Sequence, residues 1–436
     1  MEQDSLPLLK NEPFRRLLVS RATGQLAQTA LLYALLIWVV EKTNSSIHTT
    51  LLITAFTLPS IVVGLPAGAL AESLPRRPLL VLGYIIRAVV VGAILYFRDD
   101  IWFVYLLLLI LSTVGQLTGP AESAAVPVMV EREQVPSANS FFVLSVMVGQ
   151  VGGAVILAPF LLKIFGFPTV LAVAAAVFLL AAEVVYGVKG LQKARAAAAG
   201  DRVSRPGITA ALAEGWRVLG SSNKAFMALV YLTIGATLTR SLAVLAPQYT
   251  HDVLGIQVEN AVFVMAPAAI GSLLALLLTP LLARMLGASR AAALGFVLLL
   301  LGFIGLGLVV YVRAFILDHL DLGISFVEDK VGVSSVITIA MILAVPVGMA
   351  VTMVLVACKA VLNQEAPPGT QARVFATQSA VSDALSLPPL FVIGAIGELA
   401  GPRAVLLVAA AAGLFAATCL SVSRRRTSQR RGTSTR

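Results

Sequence analysis

Five charged side chains lie within long apolar stretches of the chain, Arg87, Glu122, Glu183, Arg240 and Asp383, and Arg21 sits at the edge of another. In hydrocarbon an ionised group is costly unless it is paired or reached by water, so such residues mark where a membrane chain does specific work. Two kinds of chemistry suit them. A guanidinium binds a carboxylate or phosphate through a fork of charge-assisted hydrogen bonds, and a shielded carboxyl takes up and releases a proton. Arg240 is the foremost candidate for contact with an anionic or polar substrate group. Arg21, roughly 10 Å along its stretch at 1.5 Å per residue, fits snorkelling to headgroups or substrate contact. Arg87, near mid-stretch, fits bracing of a neighbouring helix. Asp383, Glu122 and Glu183 are the candidates for carrying a proton, Asp383 being the deepest.

Uncharged polar residues accompany these charges at helical spacing. Arg21, Gln25, Gln28 and Thr29 fall at i, i+4, i+7 and i+8. Ser112, Gln116 and Ser123 form a second stripe, Thr233, Thr237, Arg240 and Ser241 a third, and Ser379, Ser382, Asp383 and Ser386 a fourth. Residues so spaced share one helix face, and lipid would penalise that face, so each stripe should turn into the bundle or a watery cavity. Candidate cavity residues are therefore Arg21, Gln25, Gln28, Gln116, Thr237 and Arg240.

Other chemistries find no support. There is no P-loop, no GxSxG elbow, no HExxH and no EF-hand pattern, so ATP hydrolysis by this chain is excluded. Cys358 and Cys419 occupy separate apolar runs without metal-ligand spacing. His48, His251 and His319 fall in expected outer loops. An enzyme, a metal site and a cofactor are not expected.

The elements that must position these residues follow from composition. The chain has 436 residues, 58% apolar and 12% charged, against roughly a quarter charged in a soluble domain. At about 20 apolar residues per span, candidate spans lie near 14–41, 47–71, 78–97, 101–130, 138–165, 167–188, 225–249, 260–283, 291–313, 335–361, 374–397 and 403–423. The net charge of +10 comes from basic residues crowded on one side of these spans. Only Lys42, Arg98, Lys163, Arg313, Lys330 and Arg403 fall on the other side. The positive-inside rule then puts both termini in the cytoplasm and explains the charge without nucleic acid. The domains read as a six-helix half over 1–188, a linker over 189–224, a second half over 225–423 and a basic, unstructured tail over 424–436. In the linker, Ile208, Ala211, Leu212, Gly215, Trp216 and Leu219 share a helical face, which predicts an amphipathic helix on the inner leaflet. The N-terminal residues are polar and the first apolar run is too long for a signal core, so no cleavable leader is expected.

Weak repetition relates the halves. Span 4 leaves the membrane as VPVMVEREQVPSANS and span 10 as LNQEAPPGTQARVFA, while ALAESLPRR after span 2 aligns with LLARMLGASR after span 8. Gly68 to Pro78, GALAESLPRRP, resembles the GxxxDRxGRR loop of the major facilitator superfamily. Gly68, Arg76 and Arg77 are retained, Glu72 stands for Asp, Ser73 for Arg and Pro75 for Gly. NEPFRRLLVSRATGQLAQ, GPAESAAVPVMVEREQVPSAN and PPGTQARVFA resemble segments of the branch containing the enterobactin and macrolide exporters. The resemblance implies an inner gate at Glu72, Arg76 and Arg77, facing the start of span 11 near Arg373 to Thr377, and a cavity lined by spans 1, 4 and 7. Departures matter too. Gln28 stands where the branch often has an acid, which excludes proton coupling there, and Glu122 stands where Arg is usual. The antiporter glycine pattern survives only as Gly149, Gly152, Gly153 and Pro159, still enough for close packing or a bend.

The expected fold is thus an all-α integral membrane protein of twelve transmembrane helices in two six-helix pseudo-symmetric halves. The expected function is secondary active, alternating-access export of small amphipathic or hydrophobic compounds, with proton antiport. Its partners would be a small-molecule substrate, protons and membrane lipids, and the protein would be a monomer in the cell membrane. A lysophospholipid-type flippase or uncoupled facilitator is the nearest rival, and a non-transporting scaffold a remote one.

Overall fold

The computed structural model describes residues 5–64, 74–131, 134–188, 208–257, 262–319, 333–367 and 371–433, with Pro66, Ile324 and Glu328 singly. Among the described residues every regular element is helical. Ten helices are long and apolar enough to cross a membrane. One of them, Thr377–Val422, has 46 residues; at 1.5 Å per residue it would be over twice the roughly 30 Å hydrocarbon thickness. It is two helices joined at Gly401, whose φ of 77° and ψ of 164° end the first. With the shorter apolar helix Ser46–Val62, these supply the twelve spans expected.

In order, spans 1 to 6 are Glu12–Thr43, Ser46–Val62, Arg76–Tyr96, Ile101–Met129, 135–165 and Phe167–Tyr186. Spans 7 to 10 are Asn223–Asp252, Val262–Leu286, Ala288–Gly307 and Ser335–Glu365, and Gln371–Thr433 carries spans 11 and 12. Polar caps set several starts. Asn11 accepts from the Phe14 N–H at 3.3 Å, Asp100 from those of Trp102 and Phe103 at 3.0 and 3.2 Å, and Ser222 from that of Lys224 at 3.2 Å. Spans 5 and 6 meet at Gly166, φ 79°, and spans 11 and 12 at Gly401. A positive-φ glycine followed within two residues by a proline, Pro168 or Pro402, makes the same turn at the same place in each half.

The chain divides into two compact units, the first holding most of spans 1–6 and the second spans 7–12 together with Ser45–Thr50. In the first, span 1 packs on spans 5 and 6, and span 3 on spans 4 and 6, around buried Leu31, Tyr84, Leu108 and Phe178. In the second, span 10 packs on spans 7, 8 and 9 around Leu299, Phe303, Val354 and Leu362. There Glu398 accepts hydrogen bonds from the Ser45 hydroxyl and, at 3.2 Å, from the Ile47 N–H.

Small residues permit the closest approaches. A Cβ at Gly149 would collide with the Ala22 carbonyl, and one at Gly153 with that of Leu26, whereas at Gly152 it would meet only the Leu26 side chain at 3.3 Å. Span 5 loosens to a π-helix over Gly152–Leu157, just before buried Pro159. Proline offers no N–H to the preceding turn, and widened turns of this kind accommodate such a gap.

The linker helix forms over Ile208–Ser221. Gly215 and Leu219 are buried while Trp216 is 53% exposed, so Trp216 lies at the edge of the packed face rather than on it. Span 9 ends at Gly307, short of the expected residue 313, and a separate helix follows over Val309–His319. The basic tail, expected to be unstructured, continues the last helix to Thr433; Arg and Gln favour helix, and Ser421 to Thr433 contains no proline to stop it.

Candidate functional site

Among the described residues each unit contains one intramembrane ion pair, and the two carboxylates differ in how they are enclosed. In the first, Arg21 of span 1 reaches Glu122 of span 4, Nη1 to Oε2 2.6 Å. The Tyr84 hydroxyl of span 3 donates to the other carboxylate oxygen of Glu122. Gly24 leaves room for the phenol, since a Cβ there would strike the Tyr84 ring. Arg87, one turn along span 3 from Tyr84, donates from Nη2 to Thr118 Oγ1 at 3.0 Å. Its guanidinium lies 5.7 Å from the ring centres of both Tyr84 and Phe178, within range of cation–π attraction. Gly115 makes space for it, as a Cβ there would come within 2.7 Å of Nη2. Glu122 is 1% exposed and Arg87 3% exposed. Two guanidiniums thus share one sealed carboxylate, Arg87 from within the packed core and Arg21, its side chain 19% exposed, from the more open side.

In the second unit, Arg240 of span 7 forks onto span 11, with Nη2 on the Asp383 carboxylate and Nη1 on the Ser386 hydroxyl. Ser386 in turn donates to the Asp383 carbonyl at 2.9 Å. One turn away, the Thr233 and Ser382 hydroxyls are 3.0 Å apart, and Gln378 Nε2 donates to Ser382 at 2.9 Å. This pair stays partly open, with side chains 23% and 18% exposed. The two pairs differ at the carboxylate, which is sealed at Glu122 and partly open at Asp383. A sealed carboxylate shared by cations suits a brace, and a partly open one set among hydroxyls can exchange its partner.

The remaining expected residues are distributed as follows. Gln25 donates to Thr29 at 3.3 Å, while Thr237 spends its hydroxyl on the Thr233 carbonyl at 2.9 Å. Gln28 and Gln116 are half-buried and their amides have no hydrogen-bond partner among the described residues. Glu183 is exposed near the end of span 6 and has no ion-pair partner among the described residues, so the structure does not bring it into the Glu122 pocket. Gly68 and Glu72 lie outside the described residues, as does the Arg373 side chain. Arg77 sits over the Tyr186 ring at 4.4 Å, and Arg16 donates to the Gly187 carbonyl at 3.1 Å. Both cations therefore gather at the carbonyl end of span 6, which favours positive charge.

The stripes pointed to Arg21, Arg240, Ser382, Asp383 and Ser386, but not to Tyr84, Thr118 or Gln378. The available signal in the sequence is Tyr84 lying three positions before Arg87 in an otherwise apolar run. Among the described residues no three His, Cys, Asp or Glu side chains gather as a metal group.

Comparison with solved structures returns transporters. A point mutant of the nucleoside transporter NupG superposes with a TM-score of 0.74 at 12% identity, covering 93% of this chain and 98% of that one. A bacterial homologue of the human lysosomal transporter Spinster gives 0.71 at 14% identity, with 95% and 96% covered. A bacterial homologue of the iron transporter ferroportin gives 0.65 at 15% identity, with 95% and 99% covered. At such identities the likeness shows the fold alone. No curated protein sequence matches the chain. The sequence profile of the Major Facilitator Superfamily matches residues 17–384; with twelve helical spans and that match, the chain is a multi-pass membrane transporter belonging to the Major Facilitator Superfamily.

Proposed function

We propose that the protein is a secondary active exporter of small amphipathic compounds, of drug, macrolide or siderophore type, working by proton antiport. Arg240 and Asp383 form the coupling element. The observation that carries this reading is the partly open Arg240–Asp383 pair among the hydroxyls of spans 7 and 11. A polar substrate group entering from the inner side hydrogen-bonds to the ionised Arg240–Asp383 pair; on the outer side a proton taken up by Asp383 breaks the pair and displaces the substrate, and loss of that proton to the inside restores the pair for the next substrate. In this reading Glu122 and Arg21 hold spans 1, 3 and 4 together and Glu122 carries no proton, while exposed Glu183 takes no part. Gln25, Gln28 and Gln116 supply neutral hydrogen bonds to substrate. Arg76 and Arg77, with Gly68 and Glu72, form the inner gate. The exporter-like segments, NEPFRRL, the PAES run and PPGTQARV, support the outward direction. The basic-residue asymmetry supports cytoplasmic termini in the plasma or inner membrane, with a monomer as the working unit.

The test is flux in liposomes containing the purified protein, with amphipathic drugs on one side and an imposed pH gradient. Accumulation that follows the gradient is expected. Flux of the same drugs indifferent to the gradient would remove antiport. A response to lysophospholipids alone would favour a flippase, for which Arg240 would hold the phosphate.

A further inference from the structure

At the end of the second unit where spans 7 and 9 begin lies a cavity of about 200 Å³ that the transport reading does not use. Its mouth carries Asn223, Lys224 and Ser289, and its wall Met227, Tyr231 and Val361. The mouth suits an anion. The Lys224 side chain is 67% exposed, and its ion-pair partner among the described residues, Glu365, is at 4.0 Å, the outer limit of ion pairing. Span 9 starts after Gly287, which offers no side-chain cap, so the N–H groups of the turn containing Ser289 are left for an outside acceptor. Arg290, next in that turn, is exposed. Span 7 differs, because Ser222 already occupies its first N–H groups.

The wall asks for something apolar. Tyr231 stacks on Phe296, ring centres 4.6 Å apart, which fixes one side, and Met227 offers an adaptable thioether surface on another. An occupant with one anionic group joined to an apolar stem satisfies all of this. Inorganic phosphate would gain nothing from the wall, and a cationic amphiphile would meet Lys224. We propose that this cavity binds an acidic phospholipid of the surrounding leaflet, its phosphate against Lys224 and Ser289 and its glycerol and upper chain along Met227 and Tyr231. Basic pockets between spans are suited to such headgroups. The proposal does not depend on which solute is transported.

Thermal unfolding of the full-length protein in neutral detergent tests it, with titrations of dioleoyl phosphatidylglycerol, dioleoyl phosphatidylcholine and inorganic phosphate. Phosphatidylglycerol is expected to raise the unfolding temperature saturably, and the other two to have little effect. Lys224→Gln should weaken the apparent phosphatidylglycerol affinity about tenfold, the loss of one charge-assisted contact. Met227→Trp, which fills the cavity without touching a charge, should weaken it similarly. Arg98→Gln, an exposed cation elsewhere, should leave it unchanged. Each variant's unfolding temperature without lipid shows that its fold is intact. Equal phosphatidylglycerol stabilisation of wild type, Lys224→Gln and Met227→Trp would overturn the proposal, as would equal stabilisation by phosphatidylcholine or by inorganic phosphate.

Discussion

A guanidinium divided between a carboxylate and a hydroxyl, as Arg240 is between Asp383 and Ser386, uses geometry that an ammonium cannot reproduce. Arg240→Lys keeps the charge but loses the fork. If an anionic or polar substrate group takes this site, binding should weaken about tenfold or more in that variant, which equilibrium binding to the purified protein measures. Glu122 obeys a different logic. Removing its charge leaves buried Arg87 without its counter-charge and Arg21 without its ion-pair partner, so Glu122→Gln should destabilise the protein by about 3–5 kcal/mol, the usual cost of breaking a buried pair. Tyr84→Phe removes one hydrogen bond to that carboxylate and should cost about 1–3 kcal/mol. Unfolding in mixed micelles distinguishes the two, and a Glu122→Gln protein as stable as wild type would show that Glu122 is not the counter-charge described.

At the scale of helices, the small residues of span 5 separate into those that touch the backbone of span 1 and one that does not. Gly153→Ala should destabilise by about 1–3 kcal/mol, as overpacking does, because its Cβ would collide with the Leu26 carbonyl. Gly152→Ala should cost less, since the only near atom is the end of a leucine side chain. Measuring both by unfolding checks the packing register. Helix positions and polar stripes were legible in the sequence because hydrocarbon makes an exposed polar face costly, so periodicity betrays the inward side. That reasoning brought out Arg21, Arg240 and Asp383. It could not say that Glu122 would take Arg21 and Tyr84 together, nor that Gly149 and Gly153, but not Gly152, meet a backbone. Those outcomes depend on the rotation and separation of neighbouring helices, which no single helix encodes. The same limit hid the exposed position of Glu183, whereas the π-helix before Pro159 and the helical continuation beyond Arg424 have local causes, in the proline and in the helix propensity of Arg and Gln, that apolar periodicity does not register.

For the molecule as a whole, twelve spans and the family match make transport the frame for the two intramembrane ion pairs found among the described residues, whose carboxylates differ in access. In the proposed function the sealed Glu122 pair is architectural and the partly open Asp383 pair carries the coupling. The most direct measurement compares wild type, Asp383→Asn and Glu122→Gln in one liposome preparation, recording both gradient-driven accumulation and counterflow exchange of the same amphipathic substrate. The expected result is that Asp383→Asn retains counterflow but loses its response to the pH gradient, while any Glu122→Gln protein that folds keeps both. Undiminished gradient-driven accumulation by Asp383→Asn, or loss of the gradient response with counterflow intact in Glu122→Gln, would contradict the account.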